Sequence, residues 1–173
     1  MKKLVPLVLI GVSLVACSSS DDAAASSSGA PGACNPEGSW EFSAVQASGD
    51  SGSACVAIAS AATTGSAKST HVFTKNADGT YTETQPDDPE DKPVKLTLDA
   101  ANCILSGAED PTTLDSVQGT DGKATKATLT GTDKYLINGS SLTFTGKGSV
   151  KADDAAAKGF PCSLELSATA TKK

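Results

Sequence analysis

The chain has 173 residues, a formal net charge of −6 and no arginine. Its 14 cations, all lysine, stand against 20 carboxylates, so it lacks the basic grooves and bidentate guanidinium forks that nucleic-acid and phosphate recognition use; nucleic acid is therefore not an expected partner. With one histidine, five cysteines and no C-x-x-C pair, no metal centre and no cofactor is expected either.

The first predicted element is an export signal. Lys2 and Lys3 precede an apolar run over residues 4–12, interrupted by Pro6 and Gly11 and well short of the roughly 20 apolar residues that span a bilayer. The run closes on Leu14-Val15-Ala16-Cys17, which resembles the lipobox of bacterial lipoproteins. That resemblance implies that residues 1–16 are a signal peptide, that the Cys17 thiol receives a diacylglycerol, and that the new amino group is acylated after cleavage. Two or three acyl chains, each buried CH₂ adding roughly 0.8 kcal/mol, would make the membrane a lasting partner through Cys17. Ser18 is not the aspartate that retains such proteins in the inner membrane, which favours the outer membrane of a bacterial cell envelope.

Residues 17–33 then form the lipidated cysteine and a low-complexity tether, whose SSSDDAAASSSGAPGA lacks hydrophobic periodicity. Sixteen such residues extend to about 55 Å at full stretch and average roughly 20 to 24 Å as a flexible coil, enough to clear lipid headgroups. Residues 34–173 are expected to fold as one β-rich domain. Its 140 residues contain 22 Leu, Ile, Val and Phe, a thin supply for a core. Cys34, Cys55, Cys103 and Cys162 offer the remedy, an even set in an exported chain, with two bridges contributing about 2 to 4 kcal/mol each. Their spacings of 21, 48 and 59 leave three pairings open; Cys34 with Cys55 and Cys103 with Cys162 is the preferred one, while a Cys55 to Cys162 bridge would suit antiparallel first and last strands. Without the signal the charge is −8, which keeps the domain soluble and off anionic headgroups.

Within the domain, Asp78-Gly79, Asp121-Gly122 and Asn138-Gly139 are dipeptides of tight hairpin turns. Val94, Leu96 and Leu98 alternate with polar residues, as do Leu164, Leu166 and Ala168, the period-2 mark of half-buried strands. Further strands are expected near residues 40–45, 55–59, 71–75, 80–84, 102–106, 123–130, 141–150 and 162–171, with one short helix possible over 151–158. The fold class is therefore all-β: a small disulfide-stapled antiparallel meander barrel, or a β-sandwich, after a flexible N-terminal tether. Asn35-Pro36-Glu37-Gly38-Ser39-Trp40 resembles the G-x-W entry strand of lipocalin-like barrels, which implies that Trp40 plugs a closed end. Those barrels stack an arginine on that tryptophan, and this chain has none.

No catalytic residue is assigned from the sequence. Gly49-Asp50-Ser51-Gly52 matches the nucleophile motif of chymotrypsin-like serine proteases, but that family places its histidine before the serine and here His71 follows, so the segment reads as a loop. His71 shares a strand face with Phe73, and no carboxylate nearby in sequence marks it as a base. Asp87, Asp88, Glu90 and Asp91 form an acidic loop punctuated by Pro86, Pro89 and Pro93; it lacks the glycine of an EF-hand, as Asn76 to Gly79 lacks the closing glutamate, so both are expected to be solvated tips. Asn138-Gly139-Ser140 reads as a turn.

These readings favour a non-catalytic binding or surface module of the envelope, holding a small apolar ligand or meeting an envelope protein. Such a module predicts an apolar cavity or patch around Trp40, Phe42, Phe73 and Phe144. The alternative, an envelope hydrolase with paired carboxylates, predicts two convergent acids in a cleft, one with a raised pKa. A spacer domain predicts neither.

Overall fold

A computed structural model describes residues 34–65, 67–88 and 92–173; the expected signal peptide, Cys17 and tether lie outside the described residues. The elements in chain order are β1 (Gly38–Phe42), β2 (Gln46–Gly49), α1 (Cys55–Gly65), β3 (Ser69–Lys75), β4 (Tyr81–Thr84), β5 (Val94–Asp99), β6 (Ile104–Ala108), β7 (Thr112–Gln118), β8 (Ala124–Asn138), β9 (Ser141–Ala152) and β10 (Cys162–Lys172). Strands β1, β3, β4, β5, β6, β8, β9 and β10 run antiparallel in that order. Pairing of β1 with β10, Trp40 opposite Lys172 and Phe42 opposite Ala170, closes them into an eight-stranded barrel. Closure decides between barrel and sandwich, and it leaves no free edge among these eight.

Alternation fills the interior. On β8 the inward series Asp133, Tyr135 and Ile137 is buried between exposed neighbours, and on β9 so are Leu142 and Phe144. Trp40, Phe42, Phe73, Leu96 and Leu105 complete the barrel core. Trp40 is fully buried, and its indole N–H donates to the Pro36 carbonyl at 2.9 Å, satisfying the one polar atom that burial would strand. Lys172 Nζ stands 5.5 Å from the Trp40 ring centroid, within cation–π reach. The glycine of G-x-W is required here, because Gly38 has φ +117° and a Cβ would meet the Lys172 side chain at 3.3 Å.

β8, β9 and β10 are longer than a barrel this size needs, and their excess builds a second core. Ala127, Val150, Cys162 and Leu164 pack there with Ala54, Cys55 and Ala59 of the α1 segment. β2 pairs with β10 and β7 with β8 along the same extension. The barrel and this extension share one sheet face, and the pair Asp133 and Gly146 sits where one core gives way to the other.

The disulfides are Cys34–Cys103 and Cys55–Cys162, with Cα separations of 5.4 and 5.8 Å, so the preferred pairing is corrected. Cys34 meets the β5–β6 turn at the end plugged by Trp40, while Cys55 ties α1 to the start of β10. The strand expected at 55–59 is helical. Ser53 caps it, accepting the Cys55 N–H on its Oγ at 3.2 Å, and the small residues Ala54 and Ala59 let it lie against the sheet. The possible helix over 151–158 is instead the end of β9 followed by turns, in which Asp154 accepts the Ala156 N–H.

Candidate functional site

The barrel's open end carries the polar residues that its interior excludes. Ser69 and His71 lie at the start of β3, Glu83 near the end of β4, Glu109 just after β6, and Asp133 and Tyr135 on β8. Together they line a cleft of about 470 Å³, with Val45, Phe144 and Leu166 giving it an apolar side. Gln85, Asp87 and Asp88 edge it, bringing part of the acidic loop to the rim.

Glu83 is the centre of the site and only 4 % exposed. The Tyr135 hydroxyl donates to its Oε2 at 2.5 Å, and His71 Nδ1 meets its Oε1 at 2.5 Å. A carboxylate only accepts, which places hydrogen on Nδ1 and turns Nε2 toward Ser69. Ser69 Oγ stands 2.8 Å from that nitrogen, within hydrogen-bond reach. The Phe42 ring lies 4.0 Å from the imidazole, centroid to centroid, and holds its plane. Burial, followed by the charges of Glu83 and Asp133, pushes the Tyr135 hydroxyl far above its ordinary range, so it remains a donor at any physiological pH.

Asp133 is the second buried acid, at 5 % exposure. Burial first, then the charge and hydrogen bond of Glu109 and the charge of Glu83, raise its pKa from 3.8 to about 8. Asp133 therefore keeps its proton at neutral pH. Gly146, opposite Asp133 across the β8–β9 ladder, provides the room: a Cβ there would come within 3.1 Å of Asp133 Oδ1.

Of the four aromatics expected to border an apolar cavity, Trp40, Phe42 and Phe73 fill the barrel, and Phe144 packs with them while also reaching the cleft. Tyr135, unmarked in the sequence, stacks among them 5.1 Å from Phe144 and 5.2 Å from Phe73, leaving its hydroxyl as the floor of the mouth. The Gly49 to Gly52 motif lies away from His71's cleft: Asp50 accepts the Ser163 N–H at 2.7 Å, and Ser51 is an exposed turn residue ahead of α1. Asp78 is occupied at its own turn by Thr80 and by Lys95 at 2.8 Å. Asn138 to Ser140 is the β8–β9 turn. Among the described residues, no three His, Cys, Asp or Glu side chains are grouped to hold a metal ion, and no helix is long and apolar enough to cross a membrane.

Sequence reading missed Glu83, Asp133 and Glu109 as site residues. Only the first had a usable signal: the Asp78-Gly79 turn sets a register in which Glu83 faces Phe73, diagonal to His71 on the same face. A wider recess of about 680 Å³ lies outside the barrel between Lys92–Lys95 and Ala108–Thr113, but its walls are exposed except at Val94. Comparison with known proteins assigns none of these residues: no family model, no curated protein and no solved structure matches the chain.

Proposed function

We propose that the chain is a lipid-anchored protein of the bacterial cell envelope whose barrel is a binding module, taking at its mouth a small ligand rich in hydrogen-bond donors. The lipobox at Leu14 to Cys17 supports the address, and two disulfides fit an oxidising compartment. The observation that carries the binding reading is Glu83, a carboxylate buried at the floor of an open cleft and held by His71 and Tyr135. Burying a charged group costs several kcal/mol before its partners offset it, and an apolar residue would close the barrel at less expense. Such a departure from the hydrophobic pattern marks a functional site. Because the cleft wall presents acceptor carboxylates from Glu83, Glu109 and Asp87, the complementary ligand brings N–H or O–H groups, and Phe144 and Leu166 receive its apolar part.

Paired acids at Asp133 and Glu109 bear on the hydrolase alternative. Glu109 acts directly on the buried Asp133 and raises its pKa, so the two support one wall of a binding cleft better than a pair of carboxyls set apart on either side of a glycosidic bond.

Native mass spectrometry of the detergent-extracted protein, screened against small amines and polyols, tests the site. We expect an adduct that Glu109→Gln or Phe144→Ala weakens at least tenfold; adducts indifferent to both would refute it. Labelling with a radioactive fatty acid tests the address, and label surviving Cys17→Ser would refute that part.

A further inference from the structure

The mouth holds more than acceptors. We propose that Ser69 is a nucleophile, activated by His71, and that the cleft cleaves small carboxylic esters with short acyl groups. This goes beyond ligand binding but uses the same cleft.

The geometry is that of an activated serine. A nucleophile needs a base within hydrogen-bond reach, and the base needs a third group to fix its tautomer and plane. Ser69 Oγ is 2.8 Å from His71 Nε2, and His71 Nδ1 is 2.5 Å from Glu83 Oε1. Glu83 cannot swing away, because its other oxygen takes the Tyr135 hydroxyl at 2.5 Å within the barrel core. The imidazole cannot rotate freely, because Phe42 covers one face. Of the three groups, Glu83 is almost wholly buried, His71 keeps 13 % of its side chain exposed, and Ser69 is half-buried and borders the cleft. The orienting carboxylate is thus the shielded member, while His71 and Ser69 border the cleft that an external substrate would enter. Val45, Phe144 and Leu166 give the same cleft an apolar side for the acyl group.

The reaction balances with water alone. Ser69 Oγ forms a bond to the ester carbonyl carbon as its proton passes to His71 Nε2, and the carbonyl electron pair moves onto oxygen. Return of that pair breaks the carbon–alkoxide bond, and the proton on Nε2 leaves with the alcohol. Water, deprotonated by the same nitrogen, then attacks the acyl-Ser69 ester, and the proton goes back to Ser69 as the carboxylic acid departs. Glu83 is a positioning residue: it keeps Nδ1 protonated and offsets the imidazolium charge that forms between these steps.

The test uses the full-length, detergent-extracted protein with 4-nitrophenyl acetate as substrate and a fluorophosphonate as trap. We expect the phosphonyl group on Ser69 in peptide mass spectra, and a hydrolysis rate that Ser69→Ala and His71→Asn each lower about a hundredfold, to the solvent background. Glu83→Gln should lower kcat and shift the pH profile while leaving KM within about twofold. Trapping in the unaltered protein does not depend on any variant folding. Turnover that survives Ser69→Ala, a trap carried on another residue, or absence of both trap and turnover would overturn the proposal. If the last result came with intact adducts of amines or polyols, the binding reading would stand alone; if those adducts were absent too, both would fall.

Discussion

Replacing Asp133 by asparagine should stabilise the protein, and more so as the pH rises. The folded chain holds the Asp133 proton up to about pH 8, whereas the unfolded chain releases it near 3.8. Between those values the native state binds more protons than the unfolded state, so stability falls with rising pH; the contribution is fully present below about pH 4 and gone above about pH 8. At about 1.4 kcal/mol per unit, an interval from 3.8 to about 8 corresponds to at most about 6 kcal/mol. Glu109 is exposed and water screens the pair, which brings our expectation to about 3 kcal/mol. Asparagine keeps the size of Asp133, can donate to Glu109, and has no proton to lose. Urea unfolding followed by the fluorescence of Trp40, the single tryptophan, should show the unaltered protein losing about 1.5 kcal/mol, half of that total, between pH 5 and pH 8 relative to Asp133→Asn. Parallel pH dependences for the two proteins would refute the reasoning, because the slope would then belong to other groups.

Serine at both Cys55 and Cys162 should cost about 2 to 4 kcal/mol, read as a lower urea midpoint, and should release α1 from β10 as faster amide exchange over residues 55–65. Trp40→Ala should cost about 3 to 5 kcal/mol in the same assay, since it empties the closed end and leaves the Pro36 carbonyl without its donor. Lysine and threonine donors hold the Asp78 carboxyl below the usual carboxylate range, Lys95 first and Thr80 next, so the stability this group lends is present above its ordinary pKa and disappears as the pH falls through the lowered one. A carbon-detected NMR titration should show that midpoint moving up in Lys95→Met, and an unchanged midpoint would count against the contact.

The parts of the fold legible in the sequence were those written by one strand at a time. Val94, Leu96 and Leu98 alternate and form β5; Leu164 to Ala168 do the same within β10. The glycines of the three marked turns, Gly79, Gly122 and Gly139, all adopt positive φ. α1 was illegible because CVAIASAATTG carries little contrast between faces: Cys55 and Ala59 are buried while Val56 is exposed. β7 was missed because TTLDSVQ buries no residue fully and owes its place to pairing with β8. The site followed the same division. Ser69 and His71 could be put on a strand, but their carboxylate arrives from the next strand. Asp133 and Glu109 meet only because β6 pairs with β8, Ala108 opposite Thr132, across the excursion that makes β7. Contacts of that separation leave no local pattern to read.

Cys34, the first residue described, is crosslinked to Cys103 four residues before β1 begins. Tension drawn through the N-terminal side of the chain would otherwise act on β1 end-on, peeling its ladders from β3 and β10 one hydrogen bond after another. The crosslink intercepts that tension and passes it to the β5–β6 turn on another part of the wall. A pull that would have opened the barrel at its seam is instead borne by covalent bonds at the plugged end, and the residues of the mouth, at the far ends of these strands, keep their spacing under load.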